Sequence, residues 1–169
     1  MNWERVQLLD SNELMLQVQD GDGQQFIKYF RHCWAKIPAD EKQSILEYWK
    51  KEGDNYPFIE LSDCWSDSKD CLGQCTQRCR VISFSANGFK HIPEAVAHWV
   101  IAHELGHVFQ KTQGKAPGGE SEEQNERDAD NIVKRWGFEN SHHNLLKWFW
   151  RGEKTIEEAC AEMKRFGLK

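Results

Sequence analysis

One run of residues constrains this chain more than any other: PEAVAHWVIAHELGHVFQKTQG, from Pro93 to Gly114. Proline is pre-set for a first helical turn, and glycine readily adopts the left-handed conformation that closes a helix. Between these two ends, apolar residues fall on nearly every side rather than along one stripe. Such a helix has no solvent face, so it predicts a central buried element with neighbours all round. The chain can supply them. Its 169 residues, 39% hydrophobic and 29% charged, suit one domain and leave little room for two. Eight Trp and nine Phe predict an aromatic-rich core.

His103, Glu104 and His107 sit inside this apolar helix, where ionisable groups need polar partners. Residues four apart on a helix stand one turn above another on the same face. Two imidazoles so placed can converge on one tetrahedral zinc. Glu104 lies roughly 100° round from His103, so it misses the metal yet reaches water beside it, where a carboxylate acts as general base. Together the residues form an HExxH motif.

The motif needs a third ligand. Its longer form would require Gly at 110 and His at 113, and Gln110 and Gln113 stand there. A further helix is expected from Ser121, in a capping pattern with Gln124, to Gly137. Ala129, Ile132, Val133 and Trp136 give it an apolar stripe. Glu126 lies on the core side, where an unpaired carboxylate is costly, and is the expected third ligand. Asp130, one turn on, is expected to accept a hydrogen bond from a ligand imidazole. Glu122 is the reserve ligand, and Asp128 is assigned to a solvated face.

The fold class expected is α+β: a small mixed sheet packed on the HExxH helix and the following ligand-bearing helix, with additional N- and C-terminal helices. The single domain 1–169 divides into an N-terminal helical part (1–53), a Cys-rich insertion (55–80), a catalytic core (81–137) and C-terminal helices (138–169). Periodicity leaves Trp3 to Val18 open between strand and helix. Phe26, Ile27, Phe30, Cys33 and Trp34 mark one amphipathic helix, and Ile45, Leu46 and Trp49 a second, begun near Pro38 and ended by Gly53. Asn55 to Arg80 reads as a polar loop, Val81 to Phe84 as a short strand, and Asn87-Gly88 as a turn. Leu145 to Trp150 and a helix capped by Thr155 and Glu158 complete the chain.

Cys33 and Cys160 are expected to be buried apolar residues. Cys64, Cys71, Cys75 and Cys79 crowd into sixteen residues. A second, structural zinc, disulfide pairs and free thiols all remain open for them. A net charge of −5 and a pI near 5.8 argue against a nucleic-acid partner. No signal peptide or membrane span is legible, so a cytoplasmic protein with no membrane partner is expected.

His103-Glu104-Leu105-Gly106-His107 followed by Glu126-Arg127-Asp128-Ala129-Asp130 resembles the gluzincin zinc metallopeptidases. The pair is especially similar to small minigluzincin-type domains, whose second motif is Glu, two residues, Ala, Asp. The likeness covers about Val81 to Gly137. It implies a helix pair carrying one catalytic zinc beside a small sheet whose edge strand, here Val81 to Phe84, binds an extended peptide or protein substrate. It also implies an oxyanion-stabilising Tyr, His or Arg, which no motif identifies; His98, Arg135, His142 and His143 are candidates. Two alternatives keep the metal. One is a zinc-dependent regulator similar to ImmA/IrrE-type proteins, and the other a non-catalytic, metal-stabilised interaction module.

Overall fold

A computed structural model describes residues 4–10, 14–19, 23–52, 58–62, 72–76, 80–114, 121–149 and 154–167. The fold is α+β. Five strands, β1 (Glu4–Gln7), β2 (Met15–Val18), β3 (Phe58–Ser62), β4 (Gly73–Thr76) and β5 (Val81–Ser85), form one mixed sheet in the order β1-β2-β3-β5-β4. The two outer pairs are antiparallel and the inner pairs parallel. Seven helices are described: α1 (Gly23–Lys36), α2 (Ala39–Glu52), α3 (Ala86–His91), α4 (Glu94–Thr112), α5 (Glu122–Arg135), α6 (Ser141–Phe149) and α7 (Ile156–Arg165). Among the described residues, no helix is long and apolar enough to cross a membrane.

The central helix is where the sequence puts it. α4 is buried from Val96 almost continuously to Gln110 and touches α1, α2, α5, α6 and β4. The α1 side of this core is aromatic: Phe26 packs on Phe30, on Phe84 of β5 and on Phe89 of α3. β5 is buried from Ile82 to Ser85, as expected of an inner strand covered on both faces. Gly137 closes α5 at φ +85°, and Thr155 and Glu158 form the reciprocal cap of α7.

Several expectations need correction. The N-terminal part is not wholly helical: Glu4–Gln7 and Met15–Val18 pair as a hairpin ahead of α1. The segment read as a Cys-rich loop holds β3 and β4, both members of the sheet. Residues 58–62 and 73–76 lie in a stretch that reads as polar and Cys-rich; pairing with β2 and β5 makes them strands. Val81 to Phe84 is therefore an inner strand, and the edge belongs to β4. Asn87 and Gly88 lie in the first turn of α3, where Ser85 Oγ accepts from the Gly88 N–H at 3.0 Å. Glycine leaves room there for Leu72, whose Cδ2 a Cβ would approach to 2.5 Å. Gly53, the expected end of α2, lies outside the described residues.

Candidate metal centre

Three donors meet between α4 and α5. His103 Nε2 lies 3.1 Å from His107 Nε2 and 3.0 Å from Glu126 Oε2, and His107 Nε2 lies 3.3 Å from Glu126 Oε1. The helices can bring them together because Gly106 lets α5 approach. A Cβ there would stand 3.3 Å from the Ala129 carbonyl oxygen and from Val133 Cγ2. Among the described residues this is the one group of three or more potential ligands so clustered.

The outer nitrogens fix the tautomers. His103 Nδ1 is 3.0 Å from Asp130 Oδ1, which can only accept, so Nδ1 carries the proton. His107 Nδ1 is 3.0 Å from Gln110 Oε1. The Gln110 amide is held in that orientation because its Nε2 donates to the Asn125 carbonyl at 2.8 Å. Both imidazoles therefore donate outward from Nδ1 and turn Nε2 inward, beside a carboxylate. With no proton on either Nε2, three such acceptors within about 3 Å repel one another unless a cation lies among them.

The electrostatics carry the same requirement. Burial alone would push His103 down, but its hydrogen bonds to Asp130 and Glu126, with the charge of Glu104, bring it up to about 9. His107 is also raised, the Glu126 hydrogen bond and Glu104 outweighing burial. Hydrogen bonds to the two imidazoles hold Glu126 well below the usual carboxylate range. The centre thus demands positive charge, whether as a proton or a metal ion. Two neutral imidazoles and a carboxylate form a donor set that suits zinc, whose tetrahedral ligands stand roughly 3.3 Å apart at ordinary bond lengths. The residues fit the ion.

Glu104 is 6% exposed, and burial raises its pKa. The edge strand covers it: a Cβ on Gly73 would lie 3.0 Å from Glu104 Cγ and 3.1 Å from its Oε1. Beside these groups runs an open cleft of about 690 Å³. Its walls are β4, with Leu72 to Cys75, and α6 with the preceding Asn140; its floor carries Trp99, Val100, His103, Glu104 and His107.

The structure thus brings together His103, Glu104, His107, Glu126 and Asp130, all of them expected. Sequence reasoning missed Gly73, which gives β4 its close approach, and the roles of Gln110 and Asn140. Asn140 Nδ2 donates to Asp130 Oδ2 at 3.3 Å. The signal at Gln110 was faint but present, a polar residue on the buried helix three places after His107. Asp128 accepts from Gln124 on α5 itself.

Of the oxyanion candidates, only His143 lines the cleft. His98 stacks on His32 of α1, Arg135 pairs with Glu41, and His142 is matched with Ser141. Cys64, Cys71 and Cys79 lie outside the described residues, whereas Cys75 sits in β4 and lines the cleft. Cys33 and Cys160 are buried as expected. Comparison with known protein families, curated proteins and solved structures finds no match to this chain.

Proposed function

We propose that the protein is a zinc-dependent metallopeptidase of gluzincin type. The observation that carries this reading is the convergence of the two imidazole Nε2 atoms and the Glu126 carboxylate beside Glu104, at the floor of an open cleft. Bound there by His103, His107 and Glu126, zinc supplies Lewis acidity, polarising a carbonyl and acidifying water.

The chain's own residues do the rest. Glu104 projects from the same helix turn as His103 but is not among the three clustered donors. Its buried carboxylate has the raised basicity expected of a group that takes a proton from water and delivers it to a leaving amine. Asp130 and Gln110 hold the imidazoles in their donating tautomers and orientations. Asn140 in turn anchors Asp130. The edge strand β4 leaves backbone groups along the cleft, to which an extended peptide can add as a further strand. The substrate expected is a peptide or protein segment.

Glu104→Gln tests the assignment. The expected result is near-complete loss of peptide cleavage with one zinc per chain retained, measured by metal analysis of the same preparation. Retained cleavage would remove Glu104 from the chemistry. Zinc binding without cleavage in the unaltered protein would favour the metal-stabilised interaction module.

A further inference from the structure

The helix α6 presents a polar stripe to the cleft. With the preceding Asn140, His143, Asn144 and Lys147 all line it, at the i, i+3, i+4, i+7 spacing that elsewhere in a globular protein carries apolar residues. On α4, Lys111 continues the row of His103 and His107 by one more turn and also lines the cleft.

The acids of this cleft are already committed. Glu126 and Asp130 bind the imidazoles, and Glu104 is buried under β4. Among the described residues, neither Lys111 nor Lys147 has an ion-pair partner. The ammonium groups are then the side-chain charges left for an entering ligand, since a divalent ion at the centre would be balanced by the Glu126 and Asp130 carboxylates. This holds although the chain as a whole carries −5. Fields from clefts are local, with charges beyond about 10 Å screened at ordinary ionic strength.

The spacing along the helices sets a scale. Lys147 stands seven residues, roughly 10 Å of helical rise, beyond Asn140, and Lys111 roughly 6 Å beyond His107. Each distance is about two or three residues of an extended peptide. His143 lies between Asn140 and Lys147 on this stripe. Burial, then the charges of Lys147 and His103, push its imidazole down to about 4. It therefore stays neutral beside the lysines at neutral pH and adds a polar group without competing for an anion. Its buried Nδ1 has no hydrogen-bond partner among the described residues.

We infer that the cleft selects peptides carrying an acidic side chain within about three residues of the scissile bond, with Lys147 and Lys111 as the residues that determine this preference. The inference rests on the peptidase reading and deepens it by naming a substrate class.

The test uses zinc-loaded protein and fluorogenic peptides of one backbone sequence with Glu, Gln or Lys placed two or three positions either side of the centre. Cleavage is expected to follow Glu over Gln over Lys, through KM rather than kcat. Lys147→Glu and Lys111→Glu should each lower the preference about two- to fivefold, the size of a partly exposed ion pair. The double reversal should invert it, and added salt should erode it. Direct attraction of carboxylates to the metal would survive both reversals, so an unchanged preference in the double variant overturns the inference, as does equal cleavage of all three peptides. If the unaltered protein cleaves none of them, the peptidase reading fails. Fluorescence anisotropy of the same peptides on the zinc-loaded protein then decides the charge preference separately: tighter Glu peptides, weakened by the lysine reversals, support it, and equal binding refutes it. Circular dichroism of each variant checks the fold.

Discussion

Replacing Asp130 by Asn changes one charge without changing shape, and its effect follows from the network around it. Asp130 accepts from His103 Nδ1 and from Asn140 Nδ2. The new amide can keep an oxygen towards His103 if Asn140 turns over, and Asn140 is free to do so because its buried Oδ1 has no partner among the described residues. The fold should therefore survive while His103 loses its charged acceptor. Loss of such a partner typically weakens metal affinity about 10- to 100-fold. At a zinc concentration 100 times the wild-type dissociation constant, wild-type protein gains about 2.7 kcal/mol of stability from the ion. The same concentration gives Asp130→Asn only about 0.4–1.4 kcal/mol by that relation. For a domain this size, 1 kcal/mol corresponds to roughly 2–4 °C in Tm. Zinc should thus raise the wild-type Tm by about 5–11 °C and the variant's by about 1–6 °C. Differential scanning calorimetry with and without chelator measures both increments, and the increment, not the absolute Tm, is the quantity compared. Asp128→Asn, which alters an acid of α5 that accepts from Gln124 and is not among the clustered donors, is the control. Equal zinc increments in Asp130→Asn and wild type would refute the assigned role of Asp130.

Further outcomes follow from individual contacts. Gly73→Ala puts a methyl about 3.0 Å from Glu104 Cγ and Val100 Cγ1, so turnover should fall about 10- to 100-fold through a displaced base while bound zinc, assayed by metal analysis, is unchanged. Gln110→Leu strands the His107 Nδ1–H, now satisfied by a buried amide that also ties α4 to the Asn125 carbonyl; zinc titration should show about 10- to 100-fold weaker binding. His98 supplies the pH dependence: burial, then the charge of His32 stacked 4.1 Å away, lower it from 6.5 to about 4. The unfolded chain then binds the proton more readily, so this stability is fully present above pH 6.5 and is lost as pH falls towards 4. About 1–2 kcal/mol is expected, and His98→Phe should flatten that slope in urea unfolding between pH 4 and 7.

The parts of the fold that could be read in advance are those whose signal is local. α4 announces itself by continuous hydrophobicity, α5 and α7 by Ser121 and Thr155 at their starts, and α1 by Phe26, Ile27, Phe30, Cys33 and Trp34, which all point inward. β3 and β4 were illegible for the opposite reason. Their residues carry little strand pattern, and the segments become strands only through ladders, β3 with β2 more than forty residues earlier and β4 with the β5 that follows it. The same holds for Gly88, whose turn-like dipeptide lies in a helix because Ser85 caps it and Leu72 fills the space above it.

At the candidate centre, sequence alone determined which residues could act together across one helical turn, since the i, i+4 geometry of His103 and His107 and their angle to Glu104 is a property of any α-helix. It also singled out Glu126 and Asp130, because acids beside an apolar stripe need a partner. Only the tertiary structure decided that α5 lies close enough for Glu126 to reach both imidazoles. It alone made Gln110 and Asn140 the groups that hold the ligands, and laid the edge strand β4 over Glu104. Those are contacts between segments brought together by burial, and side-chain burial is settled by the whole core rather than by any neighbour in the chain.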